Sequence, residues 1–434
     1  MTVSGTNVVV VGMARSGVAA VELLRKQGAK VRAVDQNPKL IPELNLTVES
    51  QTLKAFESAD LIVVSPGVPA DLMELNEARA RGVMVIGEVE LAGFFLEGEV
   101  IGITGSNGKT TTTAMIGHIL KESGIPAQVG GNIGLPPTAM VGSSRTEQWN
   151  VLELSSFQLE TIYEFRARIA VATNVTPDHL DRHYTFENYA AAKGRLFETQ
   201  KAGDYAVLNA DDPTCVSYSN LTQGKVLWFS LSRPVEPGAF LEAGMIYFDN
   251  KPLMRQSDVP LRGLHNIENA MAAAAAARLA GASLAQIADA VESFPGVEHR
   301  LEFVRELNGV AYYNDSKATN VDATIKALDA FPGGLWIILG GKDKDSDYTL
   351  LYDRLKQKAR GILLIGAAAE KIATQLGTGL PLIQSGTLEA AVSWAAREAK
   401  AGETVLLAPA CASFDQFENF EHRGRVFKDL VRGL

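Results

Sequence analysis

The chain has 434 residues, 46% hydrophobic and 21% charged, a length that divides into about three domains at roughly 150 residues each. No apolar run approaches the roughly 20 residues a membrane helix needs, and Met1 to Val11 carries neither a basic n-region nor a cleavage-like site, so neither membrane insertion nor a signal peptide is expected. The net charge of −9 disfavours nucleic acid as a partner, and the two distant cysteines, Cys215 and Cys411, offer no disulfide framework and suit a reducing, cytoplasmic compartment.

The first 90 or so residues read as a βα repeat. An apolar strand is predicted over 7–11, then the turn Gly12-Met13-Ala14-Arg15-Ser16-Gly17, an amphipathic helix to Gln27, and a second strand ending at Asp35. Glycines at 12 and 17 permit the turn and close helix packing, and a carboxylate about 20 residues later can meet ribose hydroxyls. Ala14 stands where a dinucleotide fingerprint has its central glycine, so a nucleotide diphosphate other than NAD fits. Another strand, 61–64, ends in Ser65-Pro66-Gly67, whose polar turn can line the same crevice.

A second unit opens near Val100. There Ile101-Gly-Ile-Thr-Gly-Ser-Asn-Gly-Lys-Thr-Thr111 is an apolar strand running into a glycine-rich turn and a helix, the arrangement that cradles ATP phosphates. Gly105 and Gly108 let backbone N–H groups face phosphate oxygens, Lys109 can neutralise charge, and Thr110 can offer its hydroxyl to Mg²⁺. A strict GxxxxGK[ST] pattern would need glycine at 103, where this chain has Ile103. Strands are predicted over 150–154, 169–173 and 205–208, with helices between, and an alanine-rich helix over 270–280. A third unit begins near Val297, with apolar runs at 311–314, 335–340, 362–366, 381–383 and 404–408. The expected fold class is α/β in three domains: a Rossmann-like N-terminal domain, a central P-loop ATPase α/β domain and a Rossmann-like C-terminal domain.

Polar clusters follow several strands, where open parallel sheets place their ligands. They include Gly130 to Gly134, Glu153 to Glu160, Asn174 to His183, His265 to Asn269, His299-Arg300, Asn314 to Asn320, Gly340 to Lys344 and Ala408 to Phe417. Glu153, ending a strand, can coordinate Mg²⁺. The i, i+4 pair His179 and His183 lacks the glutamate and third ligand of a zinc site. Lys193 alone would be an ordinary helix lysine. Several clusters in register across three α/β units suggest one composite site.

In order along the chain, GSNGKTT, GGNIG, LELSSFQLE, NVTPDHLDRH, LHNIENA, EHRLEF, NDSKATN and APACASFDQF resemble the Mur ligases, in their D-glutamate-adding branch. The resemblance spans essentially the whole chain. It implies a uridine-nucleotide-binding domain over 1–93, a central ATP-binding domain over 94–296 and an amino-acid-binding domain over 297–434. It also implies the substrates UDP-N-acetylmuramoyl-L-alanine, ATP and D-glutamate, two Mg²⁺ ions as cofactor, and a monomer acting in cytoplasmic peptidoglycan precursor synthesis.

By the same resemblance, Gly105, Asn107, Gly108, Lys109, Thr110, Thr111, Asn269, Arg300 and Asp315 hold ATP. Thr110, Glu153, His179 and Lys193 are the metal set, with Lys193 carbamylated, and Lys109, His179 and Lys193 are catalytic. Met13, Arg15, Ser16, Asp35, Ser65, Gly67, Asn132, Ser155 and His179 contact the uridine substrate. Thr319, Lys344, Ser413, Phe414 and Phe420 receive D-glutamate. Uracil recognition stays unassigned at Gln36 and Asn37. Three other readings stand beside this one: a nicotinamide oxidoreductase on residues 5–35, a nucleotide-switch binding protein, and a folylpolyglutamate synthase-like ligase or a Mur ligase with another amino-acid specificity.

Overall fold

A computed structural model describes residues 2–38 and 46–434 of the chain. It contains three sheets in two compact units, one formed by Met1–Val259 with His265–Phe294 and the other by Pro260–Leu264 with Pro295–Leu434.

The first unit holds two sheets. The smaller is parallel, with strands in the spatial order Val48–Ser50, Lys30–Asp35, Asn7–Val11, Leu61–Val64 and Met84–Gly87. Its central strand is buried along Val8 to Val11, as expected where helices cover both faces of a parallel sheet. Because the chain leaves Asn7–Val11 for one neighbour and returns to the other, the turns Gly12–Ser16 and Ser65–Pro69 flank a topological switch point.

The second sheet has nine strands, in the order Lys251–Arg255, Met245–Phe248, Gly238–Glu242, Lys225–Ser230, Tyr205–Asn209, Ile169–Ala172, Glu99–Thr104, Trp149–Glu153 and Ala127–Gly131. Glu99–Thr104, which leads into the glycine-rich turn, lies between Ile169–Ala172 and Trp149–Glu153, in parallel with both. Beyond Lys225–Ser230 the sheet departs from the expected strand–helix alternation, since Gly238–Glu242, Met245–Phe248 and Lys251–Arg255 form an antiparallel meander. Its tight turns carry positive φ at Ala243 and Gly244 and at Asp249 and Asn250, the twist that two-residue hairpin loops require.

The second unit carries a six-stranded sheet in the order Glu302–Leu307, Val310–Asn314, Thr404–Leu407, Leu335–Gly340, Ala359–Ile365 and Leu382–Gly386. All neighbours are parallel except Glu302–Leu307, an antiparallel edge strand. The loops after Val310–Asn314, Leu335–Gly340 and Thr404–Leu407 therefore leave the same edge of three adjacent strands. The alanine-rich helix is Leu264–Leu279, which from His265 onward belongs to the first unit and is buried on all sides from Ala270 to Ala277. Among the described residues, no helix is long and apolar enough to cross a membrane.

Candidate active site

The glycine-rich turn occupies the end of Glu99–Thr104 and feeds the helix Lys109–Glu122. Gly105 (φ +144°) and Gly108 (φ +84°) take conformations that disfavour side chains, and a Cβ would lie 2.0 Å from Thr173 Oγ1 at the first and 2.2 Å from Asn269 Oδ1 at the second. The segment after the neighbouring strand braces the turn. Asn107 N donates to Asn174 Oδ1 at 3.0 Å, Thr173 Oγ1 donates to Asn107 O at 2.6 Å, and Ser106 Oγ donates to Thr176 O at 2.9 Å. Thr110 and Thr111 are buried in the first helical turn. Asn269 is buried against that turn, where its Oδ1 accepts from Thr112 Oγ1 at 3.3 Å.

Two lysines converge on one carbonyl of this turn. Lys109 Nζ donates to Gly105 O at 2.7 Å and Lys193 Nζ donates to the same oxygen at 2.9 Å. Lys193 lies on the buried face of the helix Phe186–Glu198, which Thr185 caps by accepting from Asn188 N. Its side chain is only 1% exposed, with Nζ 4.5 Å from the centroid of the Tyr189 ring. Burial, reinforced by the charge on Lys109, drives the Lys193 amine well below the usual lysine range.

Glu153 ends the strand beside Glu99–Thr104, paired with Ile103. Its Oε1 accepts from Asn132 Nδ2 at 2.8 Å, whereas Oε2 is buried without a hydrogen-bond partner among the described residues. A buried carboxylate oxygen left in this state fits a cation. Among the described residues no three His, Cys, Asp or Glu side chains gather as a metal site, so a Mg²⁺ held by the expected set would depend on Glu153 and His179 together with the Thr110 hydroxyl, a modified Lys193 and phosphate oxygens. His179, at a left-handed φ of 52°, is half-exposed with Nε2 3.7 Å from Asp178 Oδ2. His183 faces the other way. It is buried with Nε2 2.9 Å from Ser156 Oγ and Nδ1 3.3 Å from Glu160, and burial lowers it to about 4. The two rings pack on Phe157 rather than on a common ion.

A cavity of about 650 Å³ opens between the Gly12–Ser16 and Ser65–Pro69 turns and the Gly131–Pro136 loop. Met13, Arg15, Ser16, Asp35, Ser65, Gly67 and Asn132 of the expected uridine set line it, together with Gln36 and Gln51. Ser155 is not among those lining residues. Its hydroxyl caps the short helix Ser156–Leu159 through a reciprocal bond with Gln158. Asp35 and Ser65 also shape the wall: Asp35 accepts from Met13 N at 2.6 Å and Asn37 N at 2.8 Å, and Ser65 Oγ donates to Gly12 O at 2.6 Å. Gln51 was not foreseen, because it follows a three-residue edge strand that no hydrophobic period marks.

In the second unit, the three loops leaving one edge of the sheet carry most of the remaining candidates. Asp315 follows Val310–Asn314 and is buried, which pushes its carboxyl up to about 7 against the pull of Arg300. Thr319 is half-buried on the same loop and Lys344 is exposed after Leu335–Gly340. Ser413 is buried and Phe414 is 66% exposed after Thr404–Leu407. Phe420 opens the helix Phe420–Arg432, with Lys317 Nζ 3.9 Å from its ring centroid. The loops are cross-paired, as Lys342 N donates to Ala412 O at 2.9 Å and Ala412 N donates to Lys342 O at 3.1 Å. One participant was missed from the sequence: Arg423, wholly buried in the helix Phe420–Arg432. Its signal was a charged residue in register with Phe427 and Val431 on that helix's apolar face.

A glycine-rich strand–turn–helix, a nucleotide-sized cavity and three loops leaving one edge of a third sheet are parts that an ATP-dependent ligase needs, and the family models that match are those of the Mur ligases. Residues 6–87 match the Mur ligase MurD-like N-terminal domain, 103–277 the Mur ligase middle domain and 299–411 the Mur ligase glutamate ligase domain. A protein of Solibacter usitatus (strain Ellin6076) named UDP-N-acetylmuramoylalanine--D-glutamate ligase is 62% identical over 438 residues, covering 100% of this chain and 99% of the relative. One of the same name from Acidobacterium capsulatum is 52% identical, over 99% of this chain and 97% of the relative. The solved MurF ligase of Thermotoga maritima in complex with ADP shares the fold at a TM-score of 0.63 and 18% identity, over 100% of this chain and 96% of that one. The chain belongs to the Mur ligase family, in the branch that bears the name UDP-N-acetylmuramoylalanine--D-glutamate ligase.

Proposed function

We propose that this chain joins D-glutamate to UDP-N-acetylmuramoyl-L-alanine at the expense of ATP, as a cytoplasmic monomer in peptidoglycan precursor synthesis. The observation that carries the reading is the Asn132–Glu153 bond, because Asn132 lines the nucleotide-sized cavity and Glu153 stands beside the strand that enters the ATP turn. The ends of two substrates, a carboxylate from the cavity and a γ-phosphate from the turn, would meet there.

A carboxylate resists nucleophiles because it is anionic and oxide is a poor leaving group. In the proposed reaction the L-alanine carboxylate oxygen attacks the γ-phosphorus, the bond to the β-phosphate oxygen breaks, and ADP leaves. The amine of D-glutamate, having lost one proton from its ammonium form, then attacks the acyl phosphate carbonyl, and inorganic phosphate departs. The Gly105–Gly108 turn presents N–H groups to the phosphates and Lys109 balances their charge. Mg²⁺ held by Glu153, Thr110, His179 and carbamylated Lys193 would offset charge on the transferring phosphoryl group. Lys193 suits carbamylation because burial favours its neutral, nucleophilic amine. Arg300, Asp315 and Asn269 are assigned to ATP, and Thr319, Lys344, Ser413, Phe414 and Phe420 to D-glutamate.

Phosphate release with UDP-N-acetylmuramoyl-L-alanine and each common amino acid tests the reading. Turnover is expected only with the uridine substrate and D-glutamate together. Turnover supported by a folate with L-glutamate, or ATP hydrolysis indifferent to any amino acid, would replace it with the folylpolyglutamate synthase-like or nucleotide-switch reading.

A further inference from the structure

Arg423 is 0% exposed, yet among the described residues no carboxylate accepts a hydrogen bond from it. A guanidinium carries five N–H donors in a planar fork, and five hydrogen bonds leave it. Nε donates to Ser316 Oγ at 2.9 Å, Nη1 to Cys411 O at 3.2 Å and Ala412 O at 3.3 Å, and Nη2 to Ser316 O at 2.8 Å and Cys411 O at 3.2 Å. Ser316 Oγ in turn donates to Phe420 O at 2.8 Å. Burial lowers the guanidinium only to about 10, so it is charged at neutral pH.

The acceptors lie on the loops after Val310–Asn314 and Thr404–Leu407, and Ser316 Oγ ties the first of these to the start of the helix that carries Arg423. The third loop joins through Ala412, which is paired to Lys342. Room for this arrangement comes from two glycines. A Cβ on Gly341 would lie 2.2 Å from Ala412 O, and one on Gly424 would lie 2.2 Å from His299 Nδ1, so both keep the helix and loops close enough for the fork to reach.

We propose that Arg423 is the positioning residue of the amino-acid site, pinning from beneath the loops that present Thr319, Lys344 and Ser413 to the carboxylates of D-glutamate. Every segment that carries one of these side chains is tied to its guanidinium directly or through a single residue. Its buried charge also adds a positive potential behind a site for the two carboxylates of D-glutamate. A lysine cannot replace it, since an ammonium has three donors and no planar fork. The inference rests on the assignment of D-glutamate to this unit.

The test is steady-state kinetics of Arg423→Lys, Arg423→Met and Ser316→Ala, alongside Lys344→Ala as a control for the site itself. Acyl phosphate formed without D-glutamate is read by hydroxylamine trapping, and folding by circular dichroism. Both Arg423 variants should raise the KM for D-glutamate about 10- to 100-fold, the range for lost charge-assisted bonds. Arg423→Lys should be the milder, and Ser316→Ala, which removes one of the four acceptor atoms, should shift the same KM less. The KM for the uridine substrate and the trapping rate should hold. Equal changes in the KM of all substrates, or a fall in kcat alone, would overturn the proposal by making Arg423 a general fold element. If Lys344→Ala raises the D-glutamate KM while Ser316→Ala and the Arg423 variants do not, the positioning role fails alone. If none of the four moves it, the assignment of D-glutamate to this unit falls instead.

Discussion

At the scale of single residues, two buried ionisable groups have opposite consequences. Lys193 would be an ordinary surface lysine by sequence, but its burial beside Lys109 favours the neutral amine, the form that can react with carbon dioxide. If it works as a carbamate, Lys193→Ala should lose almost all ligase activity and recover part of it in added acetate or formate, whose oxygens can stand where the carbamate's did. A fully active variant would remove the residue from the mechanism. Glu88 is the second case. It is 1% exposed, and its Oε1 accepts from Thr138 N and Oγ1 at 2.7 and 2.6 Å while Oε2 has no hydrogen-bond partner among the described residues. Burial raises its carboxyl to about 7 against those bonds. Below pH 4.5 folded and unfolded chains are both protonated and the group is neutral in its effect. Between 4.5 and 7 the unfolded chain gives up its proton first, so native stability falls, by about 3 kcal/mol once pH exceeds 7. Glu88→Gln keeps an oxygen for Thr138 and cannot ionise. Its stability advantage in urea titrations should be small at pH 5 and near its full size at pH 8; the same advantage at both would show that Glu88 does not ionise across this window.

At the scale of elements, the helix Lys109–Glu122 begins at Gly108, whose φ of +84° and 2.2 Å separation from Asn269 Oδ1 leave no place for a methyl group. Left-handed backbone costs a residue with a side chain roughly 1–2 kcal/mol before any clash. Gly108→Ala should therefore cut turnover at least about tenfold, since 1.4 kcal/mol is a factor of ten, while calorimetric binding of the uridine substrate stays intact. Loss of both would locate the damage in folding. Much of this layout was legible: parallel strands such as Asn7–Val11 and Leu335–Gly340 are apolar runs ended by glycine or polar residues, and buried on both faces they announce themselves. The meander of Gly238–Arg255 was not read, because its signal lies in two short turns, Ala243-Gly244 and Asp249-Asn250, rather than in an apolar run. The edge strand Glu302–Leu307 was missed for a related reason, since its partly exposed, charged residues do not read as a buried strand. Side-chain direction was likewise invisible. The spacing of His179 and His183 says nothing of one ring facing solvent and the other packing against Ser156 and Glu160.

At the scale of the whole molecule, the glycine-rich turn and the nucleotide-sized cavity belong to one unit, and the loops assigned to D-glutamate belong to the other, together with Arg300 and Asp315 of the expected ATP set. That division predicts separable defects. Lys109 donates to the carbonyls of Gly105 and Ser106 at 2.7 and 3.0 Å, and Lys109→Ala should abolish acyl phosphate formation with the uridine substrate still bound, because no wall of the cavity depends on it. Lys344 follows Leu335–Gly340 on an exposed loop held by the Lys342–Ala412 pairing, so its replacement should leave that loop in place and remove only a charge. A charge-assisted bond to a carboxylate is worth about 1.5–3 kcal/mol, and Lys344→Ala should raise the KM for D-glutamate by roughly ten- to a hundredfold with little change in the KM of the uridine substrate. Trapping of the acyl phosphate by hydroxylamine should then separate the two variants, absent in the first and near normal in the second. Trapping lost in both would mean that the first step needs Lys344 as well, and the assignment of Lys344 to D-glutamate alone would have to be abandoned.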